Sequence, residues 1–308
     1  MPPELTTASV RVEELLRRAR WPVLRRLGFH PGGDERSTYR GVGLEYSDVR
    51  EYQPGDDPRT IEWNITARSD RPYVRESLPD RGLDAWLLID VSRSLDWGTA
   101  CCLKRQLALD FAATAGQLLI GRGNRVGALV FDQRVRAIIP PSSGRTAFLQ
   151  LIARLDREAT SASASTDLSP VLLQAARLLR RPSLVMLMTD FLGSDGWQKP
   201  LSSLAIRHEV IAVWISDPRE REIPDVGVVT FEDPENGQQL LVDTGSARLR
   251  AKFQEAARQQ REQIMTDLRH CRVAVAEFTT ESDAVPQLIR FIRHRQLQRT
   301  RDVQAVRQ

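Results

Sequence analysis

AWLLIDVSRSLDWG, residues 85–98, carries five apolar residues without interruption and then breaks into an Asp at 90, a Ser at 92 and a Ser at 94. An unbroken apolar run ending in polar loop residues is the mark of a strand buried on both faces, as in a parallel sheet. The same pattern recurs at RVGALVF (125–131), SLVMLMTD (183–190), EVIAVWISD (209–217) and RVAVAEF (272–278), with helical periodicity between the runs. Leu103, Leu107, Phe111, Ala115 and Leu118 recur every three or four positions, predicting a helix whose opposite face carries Lys104, Arg105 and Asp110. Further helices are predicted near 145–157, 169–181, 196–207, 246–270 and 283–296. VRAIIP, reached through a turn at Asp132 and Gln133, reads as an antiparallel partner of 125–131. The expected class is α/β: a doubly wound, mostly parallel sheet with one antiparallel edge strand, plus a small N-terminal β-containing appendage. The chain divides into 1–82 (an Arg-rich helix at about 9–27, then the appendage), 83–296 (the sheet domain) and 297–308 (a basic tail that reads as solvated and frayed).

Composition narrows the function classes. The 308 residues carry a formal charge of +4, yet only three of 44 basic residues are lysines, Lys104, Lys199 and Lys252. The first 82 residues balance 14 arginines against 14 acidic side chains, so no strongly basic block marks a nucleic-acid surface. No stretch approaches the roughly 18 consecutive apolar residues of a membrane span, and no secretory leader is legible at the N-terminus. The expectation is a cytoplasmic protein with no integral membrane segment and no nucleic-acid partner. Cys101 and Cys102 are adjacent and Cys271 stands alone, which gives neither a disulfide framework nor metal-binding spacing; all three read as small core residues.

In open parallel sheets, ligands gather beyond the carboxyl ends of the strands. Asp90 ends the first strand, with Ser92 and Ser94 in the loop after it. Asp190 ends the strand at 183–190, and SASASTDLSP presents Thr166 just before a helix. Two carboxylates and three neutral hydroxyls, with no thiol or imidazole, suit a hard divalent cation that prefers oxygen ligands. Mg2+ is the first choice, with Mn2+ or Ca2+ able to stand in its place.

DVSRS, then STDL, then LMTDF, in this order and on these elements, resembles the metal-ion-dependent adhesion site of von Willebrand factor type A domains. The resemblance spans roughly 83–295, and Asp90, Ser92, Ser94, Thr166 and Asp190 fill all five motif positions. It implies that these side chains hold magnesium, directly or through water, and that one coordination position is left for an Asp or Glu of a protein partner. Ahead of it, EYSDVREYQPGDDPRTIEWNITARSDRPYVRES (45–77) is similar to the signature preceding the type A domain in the bacterial "domain of unknown function 58" family. Glu62 stands where many relatives carry Asp. That second resemblance implies partnership with a MoxR-type AAA+ ATPase in chaperone-like maturation or remodelling of other proteins.

Read from its residues alone, PGDD is a type II turn set in a dense mixed-sign run. One account is an ion-pair lattice that locks the appendage in place. The other is a docking surface for the ATPase, with Arg50, Arg59, Trp63 and Arg68 as anchors. Catalytic readings fit less well. A serine nucleophile needs a general base, but His208 and His270 precede their strands, His30 lies in the appendage and His294 on the last helix. GRGNRVG (121–127) follows a helix and precedes a strand, the reverse of a pyrophosphate loop. The expected protein is a non-enzymatic, Mg2+-dependent protein-binding adaptor. The alternative is a magnesium-dependent phosphohydrolase using the same acidic and hydroxyl site.

Overall fold

A computed structural model describes residues 48–53, 58, 61, 63–69, 71–76, 83–121, 123–158, 166–232 and 239–305. The chain separates into two units, the first ending at Leu83. In it, β1 (Asp48–Glu51) and β2 (Tyr73–Glu76) form an antiparallel pair, with the single helical turn α1 (Trp63–Thr66) between them in sequence. Thr66 Oγ1 accepts from the Tyr73 N–H at 2.9 Å, fixing the turn to the hairpin, while Arg71 and Glu51 make an exposed ion pair at 2.8 Å between the strand ends. The predicted N-terminal helix, the PGDD turn and Arg59 lie outside the described residues.

The second unit is built on a six-stranded sheet. Its strands are β3 (Asp84–Asp90), β4 (Arg125–Phe131), β5 (Val135–Ser142), β6 (Leu184–Thr189), β7 (Glu209–Ser216) and β10 (Ala274–Thr279), ordered β10-β7-β6-β3-β4-β5. All pairings are parallel except β4 with β5, which a short turn at Asp132–Arg134 makes antiparallel. The α/β class with one antiparallel edge strand is what the apolar runs lead one to expect. Winding reverses between β3 and β6, and the crevice at such a reversal is where these sheets receive ligands.

Side chains alternate across the sheet, so each strand serves two cores. Leu87 and Ile89 of β3 join Met186 and Met188 of β6 against α2 (Lys104–Ile120), α3 (Arg145–Arg157) and α7 (Ala284–Ala305). Trp86 and Leu88 join Val185 and Leu187 against α4 (Leu168–Leu178), α5 (Gln198–Arg207) and α6 (Ala247–His270). With core on both faces the central strands have no room for polar side chains until they leave the sheet. That is why the first polar residue of each marks its carboxyl edge.

Several expectations need correction. Lys104 is not on a solvated helix face; it is buried at 1% exposure. Leu103, placed on the apolar stripe, precedes the helix and is exposed at 43%. Of the cysteines only Cys271 is buried, while Cys101 is exposed and Cys102 half-buried. α7 runs through Ala305, so much of the segment read as a frayed tail continues the helix. A second antiparallel hairpin, β8 (Val228–Glu232) with β9 (Gln239–Asp243), stands between β7 and α6. No helix among the described residues is long and apolar enough to cross a membrane.

Candidate functional site

Register places the site before any side chain is considered. Ile89 lies opposite Met188, which sets Asp90 beside Thr189 and Asp190 one step further out, at the β3/β6 reversal. Alternation then separates the two aspartates. Asp90 follows the face of Leu88 and meets Thr189, whose hydroxyl donates to Asp90 Oδ2 at 2.6 Å. Asp190 follows the face of Met188, the α2 side, and accepts from Lys104 Nζ at 2.7 Å on Oδ2.

The loop after β3 folds back on its own carboxylate. The Ser92 N–H donates to Asp90 Oδ1 at 2.8 Å, and Ser92 Oγ lies 3.1 Å from Ser94 Oγ at the head of a 3-10 turn over Arg93–Asp96. After β6, Phe191 adopts a left-handed conformation (φ 57), sparsely populated for a side chain of this size. The turn it makes lets the Leu192 N–H reach Asp190 Oδ1 at 3.1 Å, and burial of the Phe191 ring against Trp197 at 5.2 Å holds it there.

Thr166 enters from the third loop. Its carbonyl accepts from the Ser194 N–H at 3.0 Å and from Ser194 Oγ at 3.1 Å, so it is sewn to the segment leaving Asp190. Gly193 permits the approach: a Cβ there would stand 2.2 Å from the Thr166 carbonyl oxygen and 3.0 Å from its Cβ. Gly193→Ala is therefore expected to push Thr166 away from the segment leaving Asp190 and, should the cluster take a divalent cation, to weaken that binding by about tenfold, with a smaller loss of stability than a core truncation. Titration calorimetry with Mg2+ beside a melting curve checks this; where the wild type binds, unchanged affinity in the variant would show that Thr166 is not needed.

The sequence-predicted oxygen donors thus lie at one edge of the sheet, Ser92 and Ser94 tied to Asp90 and the Thr166 carbonyl tied to the segment after Asp190. Asp90, Ser92, Thr166 and Asp190 are 0%, 2%, 3% and 1% exposed, and Ser94 is half-buried. Burial, followed by the charge of Asp190, raises the Asp90 carboxyl to about 7, against hydrogen bonds from Thr189 and Ser92 that favour its charged form. Glu220, from the 3-10 turn after β7, accepts from Lys104 Nζ at 2.6 Å, and burial raises its carboxyl too despite that ammonium. Asp90, Asp190 and Glu220 thus gather around a single ammonium, Lys104, and burial favours the protonated forms of Asp90 and Glu220; a divalent cation would take the place of those protons. Oxygen-only donors, mostly neutral hydroxyls, match Mg2+ in chemistry as well as charge.

Lys104, Thr189, Asp217 and Glu220 belong to this edge and escape a reading from the sequence. For Asp217 the signal that could have found it is the end of the run WISD, which closes on Asp as LLID and LMTD do. Among the remaining candidates, Trp63 is 68% exposed and Arg68 exposed, while only the backbone of Arg50 is described. His208 directly precedes β7 and so sits at the opposite edge of the sheet from Ser92 and Ser94.

With the geometry in place, comparison with known proteins assigns the chain. The family described as "Protein of unknown function DUF58" matches residues 48–263, from β1 into α6. The chain belongs to the DUF58 family. The DUF58 match takes in Asp90, Ser92, Ser94, Lys104, Thr166, Asp190, Asp217 and Glu220. An uncharacterized protein of Mycobacterium tuberculosis is 37% identical over 268 residues, covering 85% of this chain and 83% of the relative. An uncharacterized protein of Mycobacterium avium is 33% identical over 163 residues, covering 51% and 93%. Among solved structures, BatB from Bacteroides thetaiotaomicron is similar at 15% identity and a TM-score of 0.45, over 69% of this DUF58 chain and 98% of BatB.

Proposed function

We propose that this DUF58 chain is a non-enzymatic binding protein with a von Willebrand factor type A-like domain. Its Asp90, Ser92, Ser94, Thr166 and Asp190 cluster takes Mg2+, and through it an acidic side chain of a protein partner. The observation that carries the reading is the meeting of three loops at the β3/β6 reversal, with buried oxygen donors and carboxylates gathered around one ammonium. Bound Mg2+ would replace the proton that burial keeps on Asp90 and supply an exchangeable position for a partner carboxylate. The chain's own part is to hold the donors: Thr189 and the Ser92 N–H orient Asp90, the Leu192 N–H orients Asp190, and the Ser194 N–H fixes Thr166. Asp90, the carboxylate beside Ser92, already accepts from Thr189 and from Ser92, an arrangement that holds the donors in place and supports binding rather than turnover.

The proposed partner is a MoxR-type AAA+ ATPase, in chaperone-like maturation of other proteins, and the proposed location is the cytoplasm. Exposure of Trp63, a large aromatic anchor, supports a role for the N-terminal unit in docking. Affinity for the cognate ATPase, measured by biolayer interferometry, is expected to fall at least about tenfold for Asp90→Ala. Because the ATPase uses Mg2+ itself, this variant decides the matter more cleanly than chelation does. Equal affinity of wild type and variant sinks the metal-bridged mechanism. Phosphate-ester turnover abolished by the same substitution would instead favour a phosphohydrolase.

A further inference from the structure

Lys104 is the first residue of α2, buried at 1% exposure, with its ammonium between Asp190 Oδ2 at 2.7 Å and Glu220 Oε1 at 2.6 Å. Everything local opposes a cation there. Burial strips the ammonium of water. The helix N-terminus carries the positive end of the macrodipole, which disfavours a lysine in the first turn. The indole of Trp97, 5.8 Å from Nζ, returns only a small part of that loss. What holds the ammonium is the pair of carboxylates, and one of them belongs to the oxygen cluster.

We infer that Lys104 is a tethered cation that neutralises Asp190 when no divalent ion is bound and competes with that ion for the Asp190 carboxylate. The inference rests on the reading of the cluster as a metal site and adds its regulation. Glu220 makes the exchange feasible. Its side chain is 18% exposed, so the ammonium keeps a partner at the rim when Asp190 turns to a metal. Asp190 is the one donor of the set held by a cation of the chain itself; the Asp90 partners are the hydroxyls of Thr189 and Ser92 and the Ser92 N–H, none of them a cation. The fold therefore persists without metal, and affinity is set by the difference between metal and ammonium at Asp190 rather than by the metal alone.

Mg2+ and Mn2+ are titrated calorimetrically into wild type, Lys104→Met, Lys104→Arg and the double variant Lys104→Met/Glu220→Gln. The double variant removes the ion pair as a unit, leaves no buried unpaired Glu220, and so keeps the test alive if Lys104→Met does not fold. Expected are at least about tenfold tighter binding for the Met variants and affinity within about threefold of wild type for Lys104→Arg. Melting temperatures of the Met variants should rise on adding Mg2+ by more than that of wild type. Wild type binding metal while the Met variants bind no tighter overturns the competition and leaves the metal site standing. Absence of binding in every protein overturns the metal site, and the competition with it.

Discussion

Asp90→Asn is expected to stabilise the metal-free protein at pH 8 by roughly 3–4 kcal/mol. Free in an unfolded chain, Asp90 loses its proton near 3.8; in the fold, burial and then the charge of Asp190 hold that proton up to about 7. Between these values the unfolded chain is ionised at this position and the native protein is not, so raising pH favours unfolding. The loss begins near pH 4 and is complete above about 7. Asn is close in shape and carries no charge. Its carbonyl can keep the Ser92 N–H, and its amide can donate to Thr189 Oγ1 once that hydroxyl turns, so the packing survives. Urea denaturation in chelator from pH 4 to 8 should show a wild-type-minus-variant difference that is small at pH 4 and grows to its full size by pH 8. Excess Mg2+ should reverse the order, because bound ligand stabilises only the protein that binds it. A difference independent of pH would mean that Asp90 is ionised throughout and the electrostatics of the cluster are misread.

The same chemistry explains what the sequence discloses and what it hides. Strands buried on both faces announce themselves as apolar runs, and RVGALVF matches β4 residue for residue. The polar residue ending each run is legible for the same reason, which is how Asp90 and Asp190 come into view. Hairpin β8–β9 carries a weaker signal, two short runs rich in Val, Leu and Phe, VVTFE and QLLVD, on either side of an Asn236-Gly237 pair. Lys104 is hidden. Helical periodicity reports which positions face the sheet, but the first turn of α2 projects past the end of the sheet, where the stripe no longer defines inside and outside. The partners of Lys104 lie 86 and 116 residues away in sequence, beyond the reach of any local pattern. α7 outruns its predicted end because Arg, Gln and Leu are good helix formers, and a basic composition says nothing against a helix.

Asp217 carries the second large effect, with the opposite dependence on pH. It follows β7 as Asp190 follows β6, but here the carboxylate is saturated with donors. Thr99 gives its N–H at 2.7 Å and its hydroxyl at 2.5 Å, Thr280 its hydroxyl at 2.5 Å, and Arg219 its N–H at 2.9 Å. Burial raises the carboxyl, yet the hydrogen bonds from Thr280, Thr99 and Arg219 outweigh it and hold Asp217 below the usual carboxylate range. One side chain thereby joins the loop leading into α2, the turn after β7 and the turn after β10. Glu220 completes the knot, accepting the Asp217 N–H at 3.0 Å while it holds Lys104. Asp217→Ala leaves these donors without their acceptor and is expected to cost about 3–4 kcal/mol, with Asp217→Asn intermediate because an amide accepts on one oxygen only. A depressed carboxyl contributes its full stability above the unfolded value of 3.8 and loses it as pH falls through the lower folded value. The wild-type-minus-variant gap should therefore stay level from pH 8 to about 5 and close on further acidification, where the Asp90 gap has already vanished. Loosening the loop before α2 also frees Lys104 from its fixed place, so Mg2+ affinity should change in Asp217→Ala without any donor having been touched. If stability falls and metal affinity holds, the knot is a brace for the fold alone and Lys104 takes its position from Asp190 and Glu220 without help from Asp217.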